Sequence, residues 1–358
     1  TDSFKVEGGI GLISNRLSIT TPLIKDKLML TAGGRTGFSD LLFPLLIPRL
    51  KNTRANFIDS TVKLLYLLNS YNQVSYTYFL SNDFYQLDLI SNIENIVSSS
   101  NQYDFKTRNH SLKWLHTFEN ETNLTSRLIH SKYTPQNLFP ELDTENIIRF
   151  ESQIEYTSLQ SEFANSNAKG LGFYSGVEIK RYQISPGSLN PGNTNSINPV
   201  TLNDETGFES SVYANLDWNP NSNLAIAVGL RLTQFSLLGP FDQAQYDSNG
   251  LFDGTISFGE QETVSSYVNP EPRLGINYKL GENTSVKISY ARIFQYLQNI
   301  YNTNTPLPTS RWKLSDRYIT PQKNNTFGLG LYQNFLNLKL YYQLYWLFQH
   351  YLGNNIFF

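Results

Sequence analysis

Apolar residues recur at every second position over long stretches of this chain. In Leu224–Leu232, one face carries Leu224, Ile226, Val228, Leu230 and Leu232, and the other carries Ala225, Ala227, Gly229 and Arg231. Strict period two over this length predicts a strand with a single apolar face. Arg273–Leu280 repeats the pattern, setting Leu274, Ile276, Tyr278 and Leu280 against Arg273, Gly275, Asn277 and Lys279. Ser285–Tyr290 sets Val286, Ile288 and Tyr290 against Ser285, Lys287 and Ser289. Leu171–Arg181 sets Leu171, Phe173, Val177 and Ile179 against glycines, Glu178 and Lys180. The polar faces hold charged and small residues, which suits a wet interior or a packed plug.

Between the strands, short and long connections alternate. Short turns fall at Ile24–Lys27, Asn69–Asn72, Asn120–Asn123, Asn165–Asn167, Asn219–Asn223, Gly281–Thr284 and Asn334–Asn337. Longer connections fall at Phe43–Ala55, Ile90–Gln102, Pro140–Thr144, Pro186–Thr206, Pro240–Glu262 and Thr303–Tyr318. Seven short turns imply seven hairpins, hence about 14 strands, each in a segment of roughly 12–18 residues. Sandwich strands usually run about 5–6 residues, and a propeller would use four short strands per repeat. The expected fold is therefore all-β: an antiparallel up-and-down transmembrane β-barrel of about 14 long strands, with short periplasmic turns and long extracellular loops. Residues 1–358 read as one barrel domain. Pro-, Gly- and Asn-rich Ser185–Asp204 reads as a solvated loop, since clear strands flank it.

Composition fits this picture. Tyr and Phe each number 23, which suits strands and aromatic membrane girdles. The mean hydropathy is −0.35, and no apolar run reaches the roughly 18 residues of a membrane helix. Alternating strands average to mild polarity, so neither fact opposes a barrel. A net charge of −2 and 16% charged residues give no nucleic-acid signature. Without cysteine there are no disulfides, thiolate metal sites or cysteine nucleophiles. Thr1-Asp2-Ser3-Phe4 lacks a signal peptide's basic start and apolar core, so an exported chain of this sequence is expected to be processed, trimmed or a piece.

No catalytic constellation stands out. His110 and His116 lie six apart on one predicted strand, about 20 Å apart on a shared face, and cannot chelate one metal. Metalloprotease, P-loop and nucleophile-elbow motifs are missing. Gly170-Leu171-Gly172 and Gly328-Leu329-Gly330 lie inside strands with no following helix, so they read as small inward-facing positions. The expectation is a protein that is not an enzyme, with no cofactor and no metal site.

Three stretches carry a resemblance. Glu7–Arg35 resembles the first barrel hairpin of TonB-dependent outer-membrane transporters, just after their plug domain: Gly8-Gly9-Ile10-Gly11 opens the barrel, Arg16 follows, and Pro22 precedes the Lys25-Asp26-Lys27 turn. Thr21 stands where that family often has glycine. Asn269–Gln298 is similar to a later part of the barrel, with Pro272-Arg273 beginning a strand. Leu314–Phe335 places Pro321-Gln322-Lys323 before another. The resemblance implies an outer-membrane protein with a 22-stranded barrel around an N-terminal plug. TonB pulls on that plug to import a scarce solute of the siderophore, cobalamin or glycan class.

The implied partners are outer-membrane lipid and the TonB complex, the latter through a plug region outside this sequence. A surface lipoprotein over the loops is a further candidate. Only six residues precede Glu7, and about eight strands would follow Phe358, so the first reading is a partial transporter. The alternative is a complete 14-stranded passive pore, since Tyr351–Phe358 roughly fits the terminal assembly signal of barrel proteins.

Two sets of candidate residues follow. Glu178, Lys180, Arg231, Arg273 and Lys287 are expected to line the lumen. Arg311, Trp312, Lys313, Arg317 and Tyr318, in the loop Thr303–Tyr318, combine cations with aromatics. That mixture suits a carboxylate-bearing chelate or a sugar ring.

Overall fold

The computed structural model describes residues 3–38, 52–87, 91–93, 96–120, 122–166, 170–194, 197–300, 311–335 and 340–352. Fifteen strands follow one another in a single antiparallel sheet. They are β1 (Lys5–Ile10), β2 (Ser14–Ile24), β3 (Leu28–Phe38), β4 (Arg54–Leu67), β5 (Asn72–Leu87), β6 (Asn101–Thr117), β7 (Asn123–Pro140) and β8 (Ile147–Ser166). The path continues through β9 (Leu171–Asn190), β10 (Glu205–Asn221), β11 (Leu224–Leu238), β12 (Thr263–Lys279), β13 (Thr284–Gln295), β14 (Gln322–Phe335) and β15 (Leu340–Leu352). Val200–Thr201 adds a two-residue strand against β9. Among the described residues β1 and β15 do not pair with each other.

The short turns at Ile24–Lys27, Asn69–Asn72, Asn219–Asn223 and Gly281–Thr284 join the pairs the sequence predicts. Parts of the turns at Asn120–Asn123, Asn165–Asn167 and Asn334–Asn337 lie outside the described residues, and the strands on either side of each pair with one another. The additional strand is β1. The glycine-rich run that reads as the barrel's opening instead pairs back onto β2 through a tight turn, with Gly11 N donating to Ser14 O at 3.1 Å. Glycine's weak strand propensity hides such a segment. The connection at Pro140–Thr144 is also tighter than expected: Glu141 N bonds Asn146 O at 2.9 Å, and Asp143 takes φ 65°. Three long connections fold into small hairpins. These are Ser91–Ile93 with Ile96–Ser98, Phe241–Tyr246 with Phe252–Phe258, and Leu297–Ile300 with Arg311–Leu314. Residues 39–51, 301–310 and 353–358, which hold most of the predicted loop Phe43–Ala55, the first half of the predicted loop Thr303–Tyr318 and most of the terminal assembly signal, lie outside the described residues.

β12 fills the segment between the predicted connections that end at Glu262 and begin at Gly281, starting nine residues before the Pro272-Arg273 start that the resemblance implies, and runs through Pro270 and Pro272. Proline cannot donate to a ladder. Above Arg273, however, β12 pairs with β11 alone, because its pairing with β13 begins at Arg273–Ala291. Both prolines thus lie where the strand is an edge.

The polarity of the sheet is inverted relative to a soluble protein. The apolar face is the exposed one, with Val212 at 55% and Leu230 at 53%, while Glu209 and Glu271 on the other face are 7% and 4% exposed. Leu171, Phe173, Val177 and Ile179 share the exposed face. Lipid would cover such a face, and backbone hydrogen bonding between neighbours satisfies the strands that cross it.

Candidate functional site

One cross-strand line of the polar face organises the wall. Glu162 on β8, Gly176 on β9, Tyr213 on β10, Arg231 on β11 and Glu271 on β12 are successive register partners. Gly176 leaves room for the Tyr213 ring to lie across it. The Tyr213 hydroxyl donates to Glu162 Oε2 at 2.9 Å and accepts from Gln160 Nε2 at 3.1 Å. The Arg231 guanidinium sits 5.7 Å from the centroid of the same ring, within cation–π range.

Arg231 is the hub of a charged network. Its Nη2 lies 2.6 Å from Glu178 Oε2 and 3.7 Å from Glu209 Oε1. Its Nε donates to Thr233 Oγ1 at 3.3 Å, and Thr233 donates to Glu271 Oε1 at 3.0 Å. Lys180 Nζ bridges Glu209 Oε1 at 3.1 Å and Glu178 Oε1 at 3.4 Å. The Tyr182 hydroxyl donates to Glu209 Oε2 at 2.9 Å. Arg273 approaches Glu271 at 3.8 Å from a side chain that is half exposed. Each buried carboxylate thus has a cation or a donor, which is what makes its burial tolerable.

Of the lumen candidates, Glu178, Lys180, Arg231 and Arg273 meet in this network. Lys287 stands apart on β13, its Nζ 4.5 Å from the Tyr332 ring centroid. Glu162, Glu209, Glu271, Tyr182 and Tyr213 belong to the wall but have no motif around them. Only the register between strands brings them together.

Above the network the same face turns apolar. Ile184, Phe235 and Leu237 pack with Tyr296 and Leu314 from the β13–β14 connection, with Trp312 and Phe241 beside them. Phe235 and Tyr296 stack at 4.7 Å between centroids. Glu209 and Phe235 are register partners, so the charged wall meets this apolar seat directly. The hairpin ending at Leu314 therefore folds in over the wall rather than standing out from it. Gly207 makes room: a Cβ there would lie 2.8 Å from Leu314 Cδ1.

Polar contacts fasten the hairpin. Lys313 Nζ lies 2.8 Å from Glu205 Oε1 and 3.0 Å from Asp316 Oδ2, and Leu314 N donates to Glu205 Oε2 at 2.7 Å. Tyr267 donates its hydroxyl to Asp316 O at 2.6 Å. Burial pushes the Glu205 carboxyl above the usual carboxylate range, against the pull of Lys313. Lys313 is also raised: burial alone would lower it, but Glu205 and Asp316 together prevail. Burial of Tyr296 moves its phenol up to about 12, so it stays protonated while it accepts a hydrogen bond from Asn269 at 3.0 Å.

The loop candidates divide accordingly. Lys313 is engaged within the protein, and Trp312 is half-buried against the apolar seat. Arg311 and Arg317 are exposed. Tyr318 is 41% exposed, donates to Ala244 O at 3.0 Å and meets Tyr246 edge-on at 5.6 Å, tying its loop to the hairpin Phe241–Phe258. Among the described residues no group of three or more His, Asp or Glu side chains could hold a metal.

Known proteins share this architecture. The alcaligin outer-membrane receptor FauA from Bordetella pertussis is 13% identical, with a TM-score of 0.59 over 98% of this chain and 52% of its own. The ferripyoverdine receptor of Pseudomonas aeruginosa is 14% identical, with a TM-score of 0.65 over 98% and 49%. The hemophore receptor HasR of Serratia marcescens, solved with its hemophore HasA and heme, is 12% identical, with a TM-score of 0.61 over 96% and 54%. The chain spans about half the length of these structures. No curated protein matches the sequence. The family described as TonB dependent receptor-like, beta-barrel, matches residues 51–351, and with that match over most of its length this outer-membrane chain belongs to the TonB-dependent receptor β-barrel family, a family of transporters and not of enzymes.

Proposed function

We propose that this chain forms part of the barrel wall and mouth of an energised uptake receptor. Its cargo is a scarce solute of the siderophore, cobalamin or glycan class, and TonB acts through a plug region outside these residues. The observation that carries this reading is the pairing of Leu297–Ile300 with Arg311–Leu314, from which Leu314 packs and Lys313 bonds onto the polar wall at the end of the barrel with the long loops. A mouth fastened to the wall by Leu314 and Lys313 would offer a cargo a fixed surface for capture before release.

In this reading Arg311 and Arg317 offer charge to a carboxylate-bearing chelate, and Trp312 and Tyr318 offer aromatic faces. Lys313 anchors the hairpin. Glu178, Lys180, Arg231 and Arg273 form the wall along which the cargo passes, and Lys287 adds a cation to one side. A surface lipoprotein over the exposed hairpin Phe241–Phe258 would complete the capture surface.

The test is uptake by cells that carry the full receptor, offered ferric alcaligin, ferripyoverdine, heme, copper, cobalamin and maltodextrin separately. One of these classes should enter in a TonB-dependent way, and Arg311→Ala with Trp312→Ala should cut that uptake at least tenfold. Unchanged uptake in the double variant would remove the loop residues from the proposal. Uptake that persists without TonB would remove the energised mechanism.

A further inference from the structure

Six aromatic rings cross the lumen face from β9 to β5, and only the first of them belongs to the charged network. Tyr182, in that network, is the register partner of Tyr156 on β8, their ring centroids 6.2 Å apart. Tyr156 is the register partner of Ser131 on β7, and Tyr133 lies two residues further along the same face. Tyr133 lies 6.3 Å from Phe105 on β6, and Phe105 lies 6.2 Å from Tyr103. Tyr103 stands opposite Tyr85 on β5, the two rings stacked at 6.4 Å. The row reaches the mouth. Tyr103 is two residues from the long-connection end of β6 at Asn101, whereas Tyr182 is eight from that of β9 at Asn190. The rings form a slanted ladder across five strands, from the rim to the charged wall.

Packing does not account for this ladder. A ring that serves the fold alone is buried, as Phe235 is in the apolar seat. Tyr85 is 39% exposed, and Tyr103, Phe105, Tyr133 and Tyr156 are part-exposed. Among the described residues, the hydroxyls of Tyr85, Tyr103, Tyr133 and Tyr156 have no hydrogen-bond partner. The hydroxyls of Tyr182 and Tyr213, at the network, do have one. The ladder therefore offers apolar faces together with groups that can both donate and accept.

Charge narrows the ligand. None of the six rings has a cation as register partner, and the one charged partner is Asp83, opposite Phe105. Asn137 opposite Tyr103, Thr107 opposite Tyr133 and Ser131 opposite Tyr156 add neutral donors and acceptors. The network's cations begin at Lys180, two residues from Tyr182 toward the short turns. A chelate or a flat macrocycle that bears carboxylates would want cations along its path, and here it meets an acid. A pyranose ring has the opposite needs: its C–H faces lie on aromatic rings, and its many hydroxyls want donors and acceptors without net charge. A ladder of several rings suits several such units in a chain.

We infer that this ladder is a binding track for a neutral oligosaccharide. Its pyranose faces lie on Tyr85, Tyr103, Phe105, Tyr133 and Tyr156, and its hydroxyls meet the free phenols and Asp83. The inference rests on the uptake reading and narrows its cargo to the glycan class. Arg311 and Arg317, in the β13–β14 connection, lie off the track.

The test measures binding by the full receptor, purified in detergent away from TonB. Isothermal titration calorimetry uses maltoheptaose, cellohexaose, xylohexaose and laminarihexaose, each beside its disaccharide. At least one longer chain should bind at least tenfold tighter than its disaccharide, because it spans more rings. Tyr103→Ala with Tyr133→Ala should weaken that binding at least tenfold while the unboiled barrel keeps its fast gel mobility. Tyr133→Phe keeps the ring and removes only the hydroxyl, and should weaken binding several-fold, which a packing role would not do. If the alanine pair does not fold, Tyr103→Phe with Tyr133→Phe takes its place. Binding of none of the four chains, equal affinity for chain and disaccharide, or full affinity in the alanine or phenylalanine pair would overturn the track. So would tight binding of ferripyoverdine that the alanine pair abolishes. TonB-dependent uptake of another cargo, with no glycan bound, would overturn the track and leave the uptake reading standing. Glycan binding lost in the alanine pair, with uptake that persists without TonB, would support the track and remove the energised mechanism.

Discussion

The Tyr213 hydroxyl reaches the Glu162 carboxylate, 2.9 Å away and two strands over, because Gly176 between them has no side chain. A Cβ at Gly176 would lie 2.5 Å from Tyr213 Cζ and 2.7 Å from the Ser161 carbonyl oxygen. Gly176→Ala should therefore destabilise the barrel by about 1–3 kcal/mol, the usual cost of overpacking. Adding Tyr213→Ala should relieve the ring clash, so the double variant should be less destabilised than the two single effects summed. Thermal melts of the refolded barrel in detergent measure all three. Strict additivity would mean that the ring and the glycine do not share this space.

Arg231 and Arg273 look alike in sequence but occupy different environments. Arg231 is half-buried among Glu178, Glu209 and Thr233, whereas Arg273 meets Glu271 at 3.8 Å with half its side chain exposed. Removing one member of a buried pair costs about 3–5 kcal/mol, because the other charge stays buried. An exposed pair is worth about 0–1 kcal/mol. Arg231→Ala should thus lower the denaturation midpoint strongly and Arg273→Ala only slightly. Equal effects would contradict the network.

Leu314 is fully buried in the apolar seat of the mouth. Leu314→Ala should weaken hairpin docking by about 2–5 kcal/mol, the range for buried leucines. Hydrogen exchange at Arg311–Leu314 should then accelerate while that of β10 and β11 does not change. Exchange rates that stay fixed would mean the hairpin is held elsewhere.

Docking should also depend on pH through Glu205. Its carboxyl is raised in the docked state, chiefly by burial, so that state holds the proton more tightly than the released hairpin does. Its contribution is full below the ordinary glutamate value and is lost as pH rises through the raised one. Lys313, also raised, adds a contribution that disappears only in the alkaline range above the ordinary lysine value. Exchange at the Leu314 amide should slow on mild acidification, and Glu205→Gln should flatten that acid-side dependence. Faster exchange on acidification would reverse the sign.

Much of this protein is legible in its sequence. Strands such as β11 declare their two faces by simple alternation, and Asn-, Gly- and Pro-rich turns mark where they end. What is illegible is register. Nothing local to Glu209 or Tyr213 says that each will meet Arg231. His110 and His116, weighed as a pair on one strand, gave no hint that His130 lies opposite His110 on the next. The inward fold of Arg311–Leu314 is hidden for the same reason, since Lys313 finds Glu205 more than a hundred residues away in sequence. The first half of β12 is bracketed only by the loop that ends at Glu262. Pro270 and Pro272 blur its alternation, and the sequence does not show that this half is an edge, where prolines are tolerated.

The inverted polarity of the sheet is tested most directly by single cysteines along β10, from Phe208 to Trp218, in a chain with no native cysteine. Each is spin-labelled in the membrane-embedded receptor, and its collisions with dissolved oxygen and with a water-soluble nickel chelate are measured. Oxygen, which concentrates in lipid, should dominate at positions 208, 212, 214, 216 and 218, and the chelate at the part-exposed positions 213, 215 and 217. An alternation in the opposite phase, or none at all, would contradict a polar wall facing the lumen.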